Sequence, residues 1–362
     1  MGSITTNTPV LLHDKPLFGL DVGHGSLKVM QVNATGKHAA MPRILGYGTI
    51  SFDPAALDNG VIKKPQLIAE ALHRLFTRQM IGEITTKRIA VAIPSYRSFS
   101  RSMQLPKLSS KDLKQAVQLE AEQYIPVPLD GLYLDYTRTR ENKETDDYLT
   151  VGVPKEIVDS YVTLARMVGL EIMLVETTMA ADSRLIAHNQ RSDVSSVIID
   201  FGSLSADISI FNNKATLVTG TVPAGGLVFT NNIKDGLKIT FAEAAVVKTR
   251  YGLSVSKRQA EILAALEPTL QQLTKEIRRM IRYHEEHYDT DKPIGQVIVF
   301  GGGANMPGLS EYLTNNLRLP VRIHDPWQYL DYPGLQAPNK ADKLMYATVA
   351  GLSLVRPKEL FA

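Results

Sequence analysis

The apolar positions in the first hundred residues divide the chain into short strands and one helix. Apolar runs at residues 17–22, 27–32 and 44–50 predict an antiparallel meander. Residues 65–78 place apolar side chains on one face at helical spacing, which predicts a helix. A nearly continuous apolar run at 88–94 is typical of a central strand.

A different pattern follows the first predicted strands. Ser109 is a suitable N-cap and Gly169 a suitable helix end. Together the signals predict a compact α+β subdomain inserted in the first half, after which residues 170–176 return to the parent sheet. A strand at 99–105 is predicted before this part. The elements predicted within it are a helix at 109–124, a hairpin of strands at 132–139 and 148–153 with a charged turn at 140–147, and a helix at 155–168.

The second half repeats the strand pattern of the first. Thr240 and Glu243 have the spacing of a capping box, and Pro268 is a place for a kink in the long helix that follows. The predicted elements are strands at 197–200, 206–211, 214–222 and 297–300, a long helix at 259–288 and a helix at 307–317. The predicted boundaries are a flexible lead at 1–16, a first core half at 17–106, the inserted subdomain at 107–169, a return to the first half at 170–195, a second half at 196–344, and a C-terminal helix and tail at 345–362 that returns to the first half.

Composition narrows the possible functions. The 362 residues include no cysteine, which excludes disulfides, thiolate metal sites and a cysteine nucleophile. The net charge is +3 and no aromatic-interleaved Lys/Arg stripe is present, so we expect no nucleic-acid partner. No apolar run has the length of a membrane span. We therefore expect a cytoplasmic protein.

Three glycine-bearing segments, each following an apolar strand, carry the candidate chemistry. Glycine lets the backbone approach a phosphate closely, and unpaired amides in such turns bind anions. An aspartate at a strand end can hold the water shell of Mg²⁺. Two matched turns of this kind predict a cleft that holds a nucleotide between two related halves. The segments are Asp21-Val22-Gly23-His24-Gly25-Ser26-Leu27-Lys28, Asp200-Phe201-Gly202-Ser203-Leu204-Ser205-Ala206-Asp207, and Phe300-Gly301-Gly302-Gly303-Ala304-Asn305.

Two common nucleotide motifs do not fit the chain. A P-loop needs Gly-Lys followed by Ser or Thr, but Gly36 and Lys37 are followed by His38. The dinucleotide fingerprint opens a helix, whereas the segment after Gly23 is predicted to return as a strand.

In this order and spacing, the three segments resemble the actin-like ATPase superfamily. Residues 119–126, 151–161, 165–170 and 221–226 narrow the resemblance to the PilM family of type IV pilus assembly proteins, in the FtsA-like branch. The resemblance covers about residues 17–355. It implies an α/β fold of the actin-like ATPase type, with two related ribonuclease-H-like halves and an inserted α+β subdomain in the first half.

The resemblance also implies roles for individual residues. Asp21 and Asp200 are expected to hold Mg²⁺ through its waters, and Glu176 to lie near the metal, so these three form the candidate catalytic set. The residues expected to bind ATP or ADP are Gly23, Gly25, Ser26, Lys28, Gly202, Ser203, Ser205, Gly225, Gly226, Glu243, Lys248, Gly301, Gly302, Gly303 and Asn305.

Structural explanations remain open for several of these residues. A strand-end Asp can cap its own turn, and Gly and Ser at 202–205 can serve the turn alone. Lys28 can be a solvated strand lysine, and Glu243 can be the capping-box acid.

The implied partner is the short cytoplasmic N-terminal segment of PilN, a single-span inner-membrane protein, with other pilus assembly proteins, including the assembly ATPase, as further partners. The groove for that segment is expected between the first core half and the inserted subdomain, along residues 113–124. The protein would lie at the cytoplasmic face of the inner membrane through these partners, in a type IV pilus or related type II secretion system. No residue for aligning an attacking water is identifiable, so we expect at most slow Mg-dependent ATP hydrolysis. The alternatives are an FtsA-like division or cytoskeletal scaffold and a sugar or acyl kinase of the same superfamily.

Overall fold

The computed structural model describes residues 16–189, 194–212, 215–288 and 293–356. Residues 1–15 of the predicted lead, Lys214 of one predicted strand and residues 357–362 of the tail lie outside the described residues. The strands are β1 (Phe18–Val22), β2 (Ser26–Asn33), β3 (Arg43–Ser51), β4 (Leu57–Asp58), β5 (Val61–Ile62), β6 (Ile81–Gly82), β7 (Arg88–Ile93), β8 (Phe99–Pro106), β9 (Leu132–Glu141), β10 (Thr145–Pro154), β11 (Glu171–Thr177), β12 (Ser195–Phe201), β13 (Ala206–Asn212), β14 (Ala215–Val222), β15 (Ile294–Phe300) and β16 (Val321–Ile323). The helices are α1 (Pro65–Arg74), α2 (Ser110–Tyr124), α3 (Lys155–Met167), α4 (Thr178–Asn189), α5 (Gly226–Leu237), α6 (Phe241–Arg250), α7 (Gln259–His287), α8 (Leu309–Leu317), α9 (Lys340–Lys343) and α10 (Ala347–Ser353).

The first half is built on a sheet in the order β11-β7-β1-β2-β3-β6. β1, β2 and β3 form the predicted antiparallel meander, and β7 lies parallel to both β1 and β11. The strand at 171–177 thus returns to the parent sheet as predicted. Apolar side chains of α1 and α3 cover one face of this sheet, including Leu72 and Tyr161 packed with Phe18 and Val91. α1 ends earlier than predicted because the chain widens into a π turn over Leu75–Gln79.

The inserted unit is an antiparallel sheet in the order β8-β10-β9. α2 covers one face of it through Val117, which packs with Leu105 and Tyr148. The unit therefore runs from residue 99 to 154, whereas the sequence predicted 107–169. The difference arises at both ends: β8 pairs with β10, and α3 buries its apolar stripe in the core of the first half.

The second half is built on a sheet in the order β14-β13-β12-β15-β16. α5 to α8 pack on one face, where α7 contributes the largest share of the apolar side chains. α7 is one continuous helix with Pro268 inside it, so the predicted long helix is confirmed. α8 begins at Leu309, two residues later than predicted, because Gly308 has a φ of +78°. β14 lies at the edge of this sheet, where the inserted unit covers it and Ser102 donates a side-chain hydrogen bond to the Leu217 carbonyl oxygen.

A third core joins the two halves. It combines side chains of the first sheet, such as Met30 and Tyr47, with Ile298 and Phe300 of the second, and with α4 and α10. α10 crosses α4 closely, since a Cβ at Gly351 would lie 2.0 Å from the carbonyl oxygen of Ala181. α4 and α10 therefore join the sheets of the two halves through a shared hydrophobic core.

Candidate functional site

Two strand-to-strand turns of the same design, one in each half of the molecule, face each other across a cleft. In the first, the N–H of Gly23 donates to the carbonyl oxygen of Ser26 at 3.0 Å. In the second, the N–H of Gly202 donates to the carbonyl oxygen of Ser205 at 2.9 Å. The residue seven positions after each aspartate is its cross-strand partner: Lys28 for Asp21 in the first turn, Asp207 for Asp200 in the second. The matched segments of the sequence are thus matched in geometry.

The turns form opposite walls of a cleft of about 300 Å³. The segment 301–303 at the end of β15 completes one side, and α10 contributes Ala347 and Thr348. Most of the predicted site residues are brought together here. Those that line the cleft are Asp21, Gly23, Ser26, Lys28, Asp200, Gly202, Ser203, Ser205, Gly226, Lys248, Gly301, Gly302 and Gly303.

Carboxyl groups are concentrated at the base of the cleft. The ammonium of Lys28 lies 3.0 Å from Asp21 Oδ2, in a buried ion pair. Burial, together with the charges of Asp207 and Asp21, raises the pKa of Asp200 to about 8. Burial raises the pKa of Asp207 to about 6, and it raises the pKa of the enclosed Asp182 well above 3.8. These carboxyl groups thus outnumber the lysine paired with them.

This donor set fits a hard cation. Mg²⁺ prefers oxygen ligands and is commonly held by one or two carboxylates while keeping several waters. In the part of the chain that the structure describes, no three His, Cys, Asp or Glu side chains converge as direct ligands. Asp21 and Asp200 therefore suit a hydrated ion rather than a fully protein-coordinated one.

The segment at 301–303 and the start of α5 are shaped by close backbone contacts. Gly301 has a φ of +83°, and a Cβ there would lie 2.2 Å from Asp200 Oδ1. The N–H groups of Gly226 and Leu227 donate to the carbonyl oxygens of Gly202 and Ser203, both at 2.8 Å, so α5 starts directly on the second turn.

Lys248 also holds the N-terminal turn of α5 in place. Its ammonium donates to the carbonyl oxygen of Gly226 at 2.6 Å and to Thr230 Oγ1 at 2.7 Å. Burial lowers the pKa of this lysine. Gly225 lies just outside the cleft, where a Cβ would come within 2.4 Å of the Ser203 backbone. Gly225 therefore permits the docking of α5 without facing the cleft.

Four other predicted residues lie away from the cleft. Glu243 is the capping-box acid of α6, with Oε2 accepting the Thr240 N–H at 2.9 Å, and this hydrogen bond lowers its pKa. Asn305 donates to the carbonyl oxygen of Ala341 at 2.7 Å. Gly25 accepts the N–H of Phe52 at 3.1 Å, next to β3. The fourth is Glu176.

Glu176 faces a different cavity. It accepts a hydrogen bond from Arg184 Nη2 at 2.7 Å, and both residues line a space of about 590 Å³ on the far side of the Ser95–Thr178 contact. The structure therefore does not bring Glu176 to the predicted metal position.

With this geometry established, comparison with known proteins identifies the family. The sequence profile described as "Type IV pilus assembly protein PilM" matches residues 19–357. The chain belongs to the PilM family.

Solved structures show the same fold. The chain is similar to a "PilM-PilN type IV pilus biogenesis complex", with a TM-score of 0.81, 22% identity, and coverage of 95% of this chain and 99% of that one. It is also similar to MreB5 of Spiroplasma citri bound to AMPPNP, with a TM-score of 0.52, 13% identity, and coverage of 93% and 94%. The predicted actin-like ATPase fold is confirmed.

Among curated proteins, the chain is 24% identical to the cell division protein FtsA of Bacillus subtilis over 373 residues, 87% of this chain and 81% of FtsA. This relationship agrees with the FtsA-like branch that the sequence indicated. Among the described residues of this PilM-family chain, no helix is both long and apolar enough to cross a bilayer.

Sequence reasoning missed several residues of the cleft. Tyr96 and Thr178 approach it from the first half and Thr348 from α10, and no local pattern marks them. The sequence could have identified Asp207, because it follows Asp200 at the same spacing of seven residues that separates Lys28 from Asp21.

The second cavity, which we call the polar groove, lies between the inserted unit, α4 and β14. Hydroxyl-bearing side chains line it: Ser98 lies just before β8, and Ser100, Thr137 and Thr139 lie on the inserted sheet. The ion pair of Glu176 closes one side. α2, along which the partner groove was expected, covers the opposite, apolar face of that sheet and does not line the groove. The alternation of hydroxyl residues at 98, 100 and 102 and at 137 and 139 was the sequence signal for this face.

Proposed function

We propose that this PilM-family chain binds Mg·ATP in the cleft and, in a nucleotide-linked way, recruits the cytoplasmic N-terminal segment of a PilN-like inner-membrane protein. The protein would then act at the cytoplasmic face of the inner membrane during type IV pilus assembly. The observation that carries the proposal is the pair of matched Asp-x-Gly turns on opposite walls of one cleft. The likeness in fold to a solved PilM–PilN complex supports the partner.

In this proposal, each wall has a defined task. The turns at Gly23 and Gly202 offer backbone amides to the phosphates, while Asp21 and Asp200 accept hydrogen bonds from metal-bound waters. Bound Mg²⁺ would offset the charge of the phosphates and of these carboxylates. The glycines at 301–303 leave room for adenosine beside the backbone. We expect slow hydrolysis at most, because no side chain is assigned to align a water.

The polar groove suits an extended peptide. Peptides captured in grooves use main-chain hydrogen bonds for affinity and side-chain pockets for specificity. Hydroxyl groups such as that of Thr137 can donate to or accept from a peptide backbone. Leu149 and Val151 supply apolar surface in the same groove. We therefore place the PilN-like segment here rather than along α2.

Thermal unfolding with and without Mg·ATP tests the cleft. Ligand that binds only the folded state adds about 2.7 kcal/mol of stability at one hundred times Kd. Asp200→Ala should abolish the rise in Tm, while Asp235→Ala, at an exposed position of α5, should retain it. An equal rise in both variants would remove the site assignment.

Calorimetric titration with a synthetic peptide of the PilN-like N-terminal segment tests the groove. Thr137→Arg should abolish peptide binding by filling the groove. Leu119→Arg, on the 64% exposed side chain of α2, should not affect it. The reverse result would move the partner site to α2.

A further inference from the structure

The nucleotide cleft and the polar groove share a wall. Tyr96 lines both spaces. Thr178 and Asp207 line the cleft, whereas Ser95 and Thr221 line the groove. We call these five residues the dividing wall. One face of this wall lines the cleft and the other lines the groove. A shift of the wall therefore changes the shape of both cavities.

A chain of side-chain contacts runs through the dividing wall. Thr221 Oγ1 donates to Asp207 Oδ1 at 2.8 Å, and the side chain of Thr178 lies near this carboxyl group and lowers its pKa. Thr178 Oγ1 in turn lies 2.7 Å from Ser95 Oγ and accepts the N–H of Ser95 at 3.2 Å. The N–H of Met179 donates to Ser95 Oγ at 2.9 Å.

These contacts place the four residues in the order Ser95, Thr178, Asp207, Thr221. The two middle residues face the cleft, and the two end residues face the groove.

This chain also crosses from one half of the molecule to the other. Ser95 follows β7 and Thr178 begins α4, both in the first half. Asp207 and Thr221 are cross-strand partners on β13 and β14 of the second half, and Asp207 is at the same time the partner of Asp200 on β12. A nucleotide held between the halves thus contacts the centre of the chain, while both ends face the groove.

We propose that the dividing wall couples the two sites, so that a nucleotide in the cleft changes the shape of the polar groove through Thr178, Asp207 and Thr221. This inference rests on the proposed function. The physical reason is that a buried carboxylate that loses a hydrogen-bond donor is left costly and unsatisfied. When the halves move relative to each other, Thr221 therefore moves with Asp207, and Ser95 moves with Thr178. Coupling of this kind is reciprocal, so a groove ligand alters nucleotide affinity by the same factor.

The absence of cysteine from the sequence permits a direct test without the partner. Thr137→Cys places one thiol in the polar groove, and Lys111→Cys places one on the exposed surface of α2 as a control. The rate of reaction with the thiol reagent DTNB is measured with and without saturating Mg·ATP. We expect the rate at position 137 to change about fivefold or more, and the rate at position 111 to stay constant.

Two valine variants in the Thr137→Cys background locate the coupling. Thr221→Val removes the hydroxyl that donates to Asp207 and should reduce the nucleotide-dependent change to less than about twofold. Thr219→Val, a matched change on the groove face of the same strand, should leave it intact. If Thr221→Val itself fails to bind nucleotide, Ser95→Ala at the other end of the chain replaces it, with the same expected loss.

The outcomes distinguish this inference from the proposed function. If Mg·ATP raises Tm but leaves the thiol rate at position 137 unchanged, the coupling is refuted while nucleotide binding stands. Equal responses in Thr221→Val and Thr219→Val refute the hydrogen-bonded route. If Mg·ATP neither raises the Tm of the parent protein nor changes the thiol rate of Thr137→Cys, both proposals fail.

Discussion

Gly301→Ala is a sharp test of how the cleft is built. Gly301 has a φ of +83°, and a Cβ at this position would lie 2.2 Å from Asp200 Oδ1 and 2.6 Å from the carbonyl oxygen of Phe201. The substitution therefore forces a backbone conformation unfavourable for an L-residue and pushes the carboxylate of Asp200 from its place. Stability and nucleotide binding should both fall.

The two costs can be separated with control glycines. A residue with a side chain in the left-handed region costs about 1–2 kcal/mol. Overpacking a closed site adds about 1–3 kcal/mol. Gly301→Ala should thus lose about 2–5 kcal/mol. Gly334→Ala should lose only the first part, because Gly334 has a φ of +78° and a Cβ there meets nothing within 4 Å. Gly302→Ala should cost little, since the nearest atom is 3.5 Å away in Met345.

Urea unfolding of the three variants and the parent measures these costs, provided that the m-value is unchanged. Mg·ATP-induced changes in Tm measure the effect on the cleft. Gly301→Ala should lose the nucleotide response and Gly334→Ala should keep it. If Gly301→Ala were no less stable than Gly334→Ala, the packing of β15 against Asp200 would be refuted.

Three further predictions follow from individual contacts. Burial and the charge of Arg322 lower the pKa of His324 from 6.5 to about 4. The unfolded chain then takes up the proton first as the pH falls, so about 2 kcal/mol of stability should be lost between pH 7 and 5. His324→Gln should reduce this loss in urea titrations, and an unchanged loss would contradict it. Glu243→Ala should cost about 0.5–1 kcal/mol by weakening the α6 cap without altering the Mg·ATP response, whereas a lost response would restore a nucleotide role for Glu243. Lys248→Met should cost about 1–3 kcal/mol by removing the charged hydrogen bonds to the Gly226 carbonyl oxygen and to Thr230 Oγ1, and it should reduce the Mg·ATP-induced rise in Tm. A full nucleotide response in that variant would place the ligand away from α5.

Much of the fold could be read from local pattern. The meander, the central strand at 88–93 and the capping box of Thr240 depend on periodicity or on neighbours in sequence, and all occur in the structure. The extent of the inserted unit could not be read in this way. The pattern of α3 shows that one face is buried, but only tertiary packing decides that this face joins the core of the first half.

In the candidate site, too, some residues could be predicted from local sequence, whereas others depend on tertiary packing. Residues on the glycine-bearing turns lie where local chemistry placed them, because each turn fixes its own neighbours. Glu176 shows the limit of strand-end reasoning: it lies level with Asp21 in the same sheet, both being partners of Ala92, but two strands away. Arg184, eight residues later on α4, is its hydrogen-bond partner in the neighbouring cavity. Thr348, more than three hundred residues after Asp21, reaches the cleft only through the return of α10.

The covering of β14 restricts how copies of this protein can assemble. The outermost strand of a sheet offers unsatisfied main-chain groups that readily recruit a strand from another molecule. Here the inserted unit occupies that rim, and Ser102 and Tyr288 both donate to the Leu217 carbonyl oxygen. The second sheet cannot be extended from this side into a ribbon that spans several molecules, so self-association must proceed through other surfaces.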